Sequence, residues 1–345
     1  MLPKPFLDSL EGLPGFEKNA FEQVHAQGEQ ITSVRLNKYK QFDLHAHSFL
    51  NHTAPVSWCA QGVYLNERPL FVLDPLWHAG AYYVQEASSM FIQYLLDHLN
   101  MDTTSMVLDL CAAPGGKSTL LANWFNNGLV VANETIKGRN AILVENITKW
   151  GADNMIVTQN DPAHFKALPN FFDLVMIDAP CSGSGLFRKD ISAISEWSLD
   201  NVQHCSLRQE RIIEESLDTL KEGGYLIYST CSYSFEEDEK IMDQIANLPG
   251  MVNVKIIVPP SWNIISCESP EHQCQGFRFY PDKIKGEGFF ISVFKKEGAF
   301  QKTSTSDSFK FTPLSKNELS VAKSFFELPA THQYLSHQNS MIAIP

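Results

Sequence analysis

Between residues 105 and 230 the chain alternates short apolar runs with longer amphipathic stretches, and this alternation limits the possible folds most sharply. "SMVLDL" (105–110), "LVVANE" (129–134), "NMIVTQ" (154–159), "FDLVMID" (172–178) and "GYLIYST" (224–230) read as strands. "KSTLLANWF" (117–125), "GRNAILVENITKWG" (138–151) and "DNVQHCSLRQERIIEESLDTL" (200–220) read as helices. Strands that alternate with helices predict an α/β fold with a doubly wound, mostly parallel sheet. The strands are almost continuously apolar, as expected when helices cover both faces. "VNVKIIV" (252–258) and "GFFISVFKK" (288–296) read as antiparallel edge strands. Ligands of such sheets bind beyond the carboxyl ends of the strands. The residues that follow each apolar run are therefore the first candidates for a site.

After the first run comes "LDLCAAPGGKST" (108–119). Gly115 and Gly116 allow close backbone approach to a ligand, and the next helix offers free N–H groups at its start. The pattern is neither GxGxxG nor GxxxxGK[ST], so the dinucleotide and P-loop fingerprints are missing. Glu134 ends the second run and can accept hydrogen bonds from ribose hydroxyls. Asp161 follows the third run, where an adenine amino group can meet it. Each acid alone could equally be a helix cap or a solvated loop residue. Together with the glycine turn, they point to a nucleoside cofactor.

The fourth and fifth runs lead into cysteines. Cys181 lies in "DAPCSGSG" (178–185) and Cys231 in "STCSY" (229–233). The other five, Cys59, Cys111, Cys205, Cys267 and Cys274, read as small buried hydrophobes. A thiolate beside a nucleoside cofactor suits one chemistry well. Carbon 5 of cytosine is a poor nucleophile until a thiolate adds to carbon 6. An acid such as Asp178, at ring nitrogen 3, stabilises the charge that develops. A second cysteine can assist release as acid or base. Lys117 is a candidate positive neighbour that favours the thiolate. Spacing alone does not say which cysteine attacks.

"LDLCAAPGGKS", "DAPCSGSG" with "RKD" after it, and "GGYLIYSTCSYSFEEDE" together resemble the Sun/Nop family of RNA cytosine-5 methyltransferases. "SVRLN", "YYVQEASSM" and "GEGFFISVFKK" also fit that family, so the resemblance runs over roughly residues 30–298. It implies a Rossmann-like class I methyltransferase domain at 81–298, with S-adenosyl-L-methionine as cofactor. It also implies a small N-terminal α+β RNA-binding region at 1–80, and a linker with a short C-terminal region at 299–345. By the same resemblance Cys231 is the nucleophile and Cys181 promotes product release. Residues Cys111, Ala112, Ala113, Pro114, Gly115, Gly116 and Lys117 cradle the methionine part of the cofactor. Glu134 binds the ribose, Asp161 the adenine side, and Asp178 sits between cofactor and base. Two departures stand out: Glu134 replaces a more usual Asp, and Pro162-Ala163 replaces the usual Gly-Arg. Within the family the chain most resembles the small-subunit ribosomal RNA methyltransferases of the F type. Those carry a further C-terminal RNA-binding region where this chain has residues 299–345.

The net charge of −12 argues against a simple basic glove for nucleic acid, although a local basic patch can sit on an acidic protein. Arg35, Lys38 and Lys40 in "SVRLNKYK", with Arg188 and Lys189 in "RKD" at the cleft, are the expected RNA contacts, and the family resemblance has Arg188 hold either RNA or the catalytic loop. Seven cysteines without a CxxC pair point to a reducing cytoplasm and to no metal site. No window approaches the ~20 apolar residues of a membrane span, and none resembles a signal peptide. A monomer is the default expectation. Three readings compete with methylation of small-subunit ribosomal RNA. One is the same chemistry on transfer RNA, one a non-catalytic assembly factor that binds RNA, and one a nicotinamide dehydrogenase, which the missing GxGxxG disfavours.

Overall fold

A computed structural model of the protein describes residues 2–40, 52–298, 312–325, 333–337 and 340–344. Residues Met1–Gln301 form one unit and Lys302–Pro345 another. The first unit opens with helices α1 (Lys4–Leu10) and α2 (Lys18–Gln27). A small antiparallel sheet follows, made of β1 (Ser33–Leu36), β2 (His52–Val56), β3 (Cys59–Leu65) and β4 (Tyr82–Val84) in the order β2-β3-β1-β4.

The large sheet holds nine strands among the described residues. Five come from the alternating region: β5 (Met106–Asp109), β6 (Leu129–Asn133), β7 (Met155–Thr158), β8 (Phe172–Asp178) and β9 (Leu220–Thr230). The rest are β10 (Met251–Asn253), β11 (Ile265–Glu268), β12 (Gln275–Phe279) and β13 (Phe289–Lys296). Strands β7-β6-β5-β8-β9 run parallel, and β13, β12 and β11 continue antiparallel beyond β9. The predicted Rossmann-like, doubly wound sheet is therefore present.

Burial explains the continuous apolar strands. On β8, Leu174 and Met176 enter one core cluster, while Phe172, Val175 and Ile177 enter the cluster on the opposite face. On β13, Phe289, Ile291 and Val293 face one cluster and Phe290 and Phe294 the other. Fully burying one such side chain contributes about 1.5–3 kcal/mol. Both faces need filling, so the period-2 alternation of a half-exposed strand disappears.

The edge expected from the sequence is different. β10 does pair antiparallel with β13, but β13 lies inside the sheet between β9 and β12. After Asn253 the chain leaves the ladder: the Val254 N–H still reaches Val293 O, and the Ile256 N–H turns to the Gln275 side chain. The hairpin β11–β12 carries the outer edge. Its mix of Ser, Cys, Gln and Arg hides it from a hydrophobic scan.

The first thirty residues also hold more order than their sequence suggests. Phe6, Leu7 and Leu10 of α1 and Phe21 of α2 pack with Phe187, Trp197, Val202, Tyr233 and Tyr280. Phe187 lies just after "DAPCSGSG" and Tyr233 just after Cys231, so the N-terminal helices buttress both cysteine loops.

The unit Lys302–Pro345 contains a helix, Lys316–Phe325, and a three-stranded antiparallel sheet formed by Thr312–Pro313, Gln333–His337 and Ser340–Ile344. The helix falls within the predicted "KNELSVAKSFFEL", but the hairpin was not predicted. Most of the expected linker "QKTSTSDSFKFTP" lies outside the described residues.

Candidate active site

Strand register brings the two cysteines together. On β8 and β9, Asp178 is paired with Ser229, and the Ala179 N–H donates to Ser229 O at 2.8 Å. Cys181 follows Asp178 by three residues and Cys231 follows Ser229 by two, so both leave the sheet at the same end. Their Sγ atoms are 3.0 Å apart, within reach of a shared proton. The loop from β8 passes tightly over the loop from β9: the Gly185 N–H donates to Cys231 O at 2.8 Å. A Cβ on Gly185 would sit 2.5 Å from Gly288 O and 2.8 Å from Cys231 O. The glycine in "CSGSG" is therefore required by the crossing of the two loops.

Asp178 is held on both oxygens. Oδ1 accepts the Ser229 hydroxyl at 2.6 Å, and Oδ2 lies 2.7 Å from Lys117 Nζ. Burial works against the Lys117 ammonium, yet the charge and hydrogen bond of Asp178 overcome it and raise its pKa above the ordinary value. Cys181 is pushed well above the usual thiol range by its hydrogen bond with Cys231, by burial, and by the charges of Cys231 and Glu237. It is a protonated thiol at neutral pH.

A cavity of about 300 Å³ opens in front of these groups. Its walls include Asp109, Cys111, Ala112, Ala113, Pro114, Gly116, Lys117, Asp178 and Cys231. Gly115 starts the following helix with φ +112°, a left-handed conformation that favours glycine. Asp109, missed in the sequence, ends β5 and is fully buried. Oδ2 accepts the Ser118 hydroxyl at 2.6 Å, while Oδ1 has no hydrogen-bond partner. Burial, opposed by the Ser118 hydrogen bond, raises its pKa to about 7. Cys111 also lines the cavity, but burial keeps its thiol protonated and inert. Among the described residues no group of three or more His, Cys, Asp or Glu could hold a metal ion, and no helix is long and apolar enough to cross a membrane.

The two acids expected at the cofactor lie outside the cavity wall. Glu134 is 3% exposed; Oε1 accepts the Ile136 N–H at 2.9 Å and Oε2 lies 3.3 Å from Arg139. Asp161 caps the turn at Pro162 through the Ala163 N–H and pairs with Arg211 at 3.1 Å.

The expected RNA contacts need correction. Arg35 is 1% exposed and points inward. It donates to Gln85 Oε1 at 2.8 Å, Thr119 Oγ1 at 2.6 Å and Gly116 O at 3.2 Å, and it lies over the Trp150 ring. It joins the small sheet to the glycine turn and cannot meet a phosphate. Arg188 is 8% exposed; it donates to Glu29 O, and its Nε lies 3.7 Å from Glu287. It fixes the loop after β8 to the N-terminal segment, which fits the loop-holding alternative rather than an RNA contact. Lys40 donates to the carbonyls of Ala79 and Lys149. Lys38 alone of the four is exposed, stacked 4.9 Å from the Tyr39 ring centroid. Lys189, next to Arg188, is exposed and reaches the cavity.

Comparison with known proteins adds to this geometry. Residues 94–295 match the family described as 16S rRNA methyltransferase RsmB/F, and residues 2–87 match the N-terminal domain of 16S rRNA methyltransferase RsmF. Proteins named ribosomal RNA small subunit methyltransferase F are similar. The one from Psychromonas ingrahamii is 34% identical over 313 residues, covering 86% of this chain and 64% of that protein. The one from Vibrio cholerae is 34% identical over 308 residues, with the same coverage of 86% and 64%. The chain thus spans somewhat less than two thirds of their length. A methyltransferase homologue from Pyrococcus horikoshii superposes with a TM-score of 0.65 at 28% identity, covering 86% of this chain and all of that one. NSun6 from the same organism, crystallised with SFG, shares the fold with a TM-score of 0.68 at 19% identity, covering 86% of this chain and 99% of that one. With a family model matched over more than half its length, on the strands that build the two-cysteine cleft, the chain belongs to the 16S rRNA methyltransferase RsmB/F family.

Proposed function

We propose that the protein methylates carbon 5 of a cytosine in small-subunit ribosomal RNA, with Cys231 as nucleophile. The observation that carries this reading is the thiol pair, 3.0 Å apart, beside the Asp178–Lys117 pair. Two cysteines at adjacent parallel strand ends have no role in a simple RNA-binding scaffold.

The cavity suits S-adenosylmethionine. The unpartnered Oδ1 of Asp109 offers an acceptor for its ammonium group, and the bare backbone at Gly116 allows close approach. Residues 111–117 would hold its methionine part, with Glu134 and Asp161 toward the ribose and adenine. When bound, the cofactor supplies an electrophilic methyl group. If Glu134 meets the ribose, Glu134→Ala weakens cofactor binding by about 1–3 kcal/mol; unchanged binding by calorimetry would remove it from that role.

The protein's own groups do the rest. The Cys231 thiolate adds to carbon 6, forming a C–S bond and breaking the carbon 5–carbon 6 π bond. Asp178 would meet ring nitrogen 3 as the hydrogen-bonding acid, and the Lys117 ammonium beside it offsets the negative charge that builds there. Carbon 5 then carries the electron pair that would bond the cofactor's methyl carbon as the methyl–sulfur bond breaks and its electrons stay on the cofactor sulfur. At release, the carbon 5–hydrogen electrons restore the ring double bond, and the C–S electrons return to Cys231 Sγ. Cys181 gives its proton to that sulfur and takes the carbon 5 proton in exchange. The target base must leave its stack to reach this cleft. Lys38 and Lys189 are the exposed cations available for phosphates.

Transfer of labelled methyl to small-subunit ribosomal RNA, assembled small subunits and bulk transfer RNA tests the reading. Label recovered as 5-methylcytosine in either ribosomal substrate supports it. Label only in transfer RNA moves the substrate. No label in any, with cofactor bound, favours the assembly-factor reading.

A further inference from the structure

Behind the two cysteines lies a carboxylate that touches neither thiol. Glu237, in "SFEEDEK", is fully buried. Its Oε1 accepts the Ser182 N–H at 2.8 Å and the Gln209 amide at 3.0 Å. Its Oε2 accepts the hydroxyls of Ser182 and Ser232, the latter at 2.6 Å. Ser182 directly follows Cys181, and Ser232 directly follows Cys231. One carboxylate therefore binds the residue after each cysteine. Gln209 extends the grip by donating to Pro180 O at 3.0 Å, just before Cys181. Tyr228, on β9, completes it: its hydroxyl lies 2.7 Å from the Glu237 carbonyl, to which it donates, and 3.0 Å from Gln209 Oε1.

Glu237 is itself anchored. Its neighbours Asp238 and Glu239 are buried against Arg278 of β12, which is 1% exposed. Four donors converge on an acceptor-only group, so the ionised carboxylate satisfies every one of them. Burial nonetheless raises its pKa above the ordinary value, opposed by these hydrogen bonds. Such a buried charge costs several kcal/mol unless fully paired, so its placement between two catalytic loops calls for a reason.

We infer that Glu237 is a positioning residue that clamps the two cysteine loops to each other and keeps Cys181 a neutral thiol. Its negative charge adds to the forces that hold the Cys181 proton. Lys117, by contrast, lies on the cofactor side and is stabilised by charge on Cys231. Cys231 lines the cavity together with Lys117, whereas Glu237 binds the N–H and hydroxyl of the residue after Cys181. That asymmetry distinguishes the two cysteines, which their symmetrical 3.0 Å contact alone does not. The inference rests on the proposed cysteine chemistry for its meaning, but its geometry stands without it.

The test uses the full chain with Glu237→Gln. This variant keeps the volume and one acceptor, but removes the charge. Each cysteine is alkylated with iodoacetamide over a pH series and followed by peptide mass spectrometry. The buried Cys59, Cys267 and Cys274 report on the fold. The expected result leaves those three protected and speeds Cys181 alkylation about tenfold at fixed pH, as removal of a nearby like charge lowers its pKa by about one unit. Methyl transfer falls about 100-fold, the cost of misplacing reacting groups by an ångström, while S-adenosylmethionine binding is kept. A merely structural role would shift all the cysteines together or none. Cys181 alkylation within twofold of wild type at every pH, on a protected fold, overturns the clamp. If Glu237→Gln exposes the three reporters, Ser232→Ala is read instead; its Cys231 rate must rise at least about twofold as the loop after Cys231 loses its bond to Oε2, and no change overturns the inference. Absence of methyl transfer by the wild type would count against the proposed function, while the alkylation arm would still decide the clamp.

Discussion

The stretch 33–40 and the strand-end cleft make an instructive pair. The first looked functional because basic side chains lie close together in sequence, the second because reactive side chains follow successive apolar runs. In the cleft the chemical groups converge: two thiols are 3.0 Å apart, an ammonium and a carboxylate 2.7 Å apart, and Cys231, Lys117 and Asp178 line one cavity. In the basic stretch they diverge: Arg35 turns into the protein, Lys40 ties two carbonyls, and Lys38 alone meets solvent. Convergence at the cleft is set by parallel strand register, which gathers residues far apart in the chain. Divergence follows from the end of β1: Arg35 lies on the strand, whereas Lys38 and Lys40 lie in the turn after Leu36.

Mutations can separate the two regions. The largest effect belongs to the cleft: Cys231→Ser lowers methyl transfer at least about a thousandfold without weakening cofactor binding, as measured by label transfer and calorimetry. Retained activity would mean that another group attacks the base. Next comes Arg35→Ala, which takes the buried donor from Gln85 Oε1 and Thr119 Oγ1 and lowers unfolding stability by about 3 kcal/mol in urea titration. If it instead weakened RNA binding on an undisturbed fold, Arg35 would be a contact after all.

A third test concerns Asp109. Its folded pKa of about 7 lies above its ordinary 3.8, so the folded state holds the proton more tightly than the unfolded state does. The resulting stabilisation is full below the ordinary value and is lost as the pH rises through about 7, at up to about 1.4 kcal/mol per pH unit. Asp109→Asn therefore flattens the stability profile in that window, and an unchanged profile would mean that Asp109 titrates normally. The smallest effect falls on Lys38→Ala. It leaves stability unchanged and reduces the salt slope of RNA binding by about one phosphate contact. A flat response would leave the basic stretch with no RNA role.

The parallel sheet was legible because burial on both faces removes polar residues from β5, β8 and β9. The cysteine cleft was legible because strand ends on one side of such a sheet are neighbours. The hairpin β11–β12 was not, since its buried Arg278 and Cys267 look polar in sequence yet pair or pack inside. The helices α1 and α2 are short, and their tertiary contacts through Phe6 and Phe21 outweigh local signals. Arg35 was misread because charge in a sequence carries no direction. Asp109 was passed over because an acid at a strand end, followed by the conspicuous "CAAPGGKS", reads as ordinary. Glu237 was hidden inside an acidic run that resembles a solvated helix start, and only the loops meeting on it reveal its place.

The most direct test of the two-cysteine account is RNA retention on a denaturing gel. After incubation with S-adenosylmethionine and substrate RNA, Cys181→Ala should hold RNA covalently, because addition through Cys231 proceeds and release is slowed. Cys181→Ala combined with Cys231→Ser should hold none. Retention by the double variant, or by Cys231→Ser with Cys181 intact, would contradict the assignment and make Cys181 or another group the nucleophile.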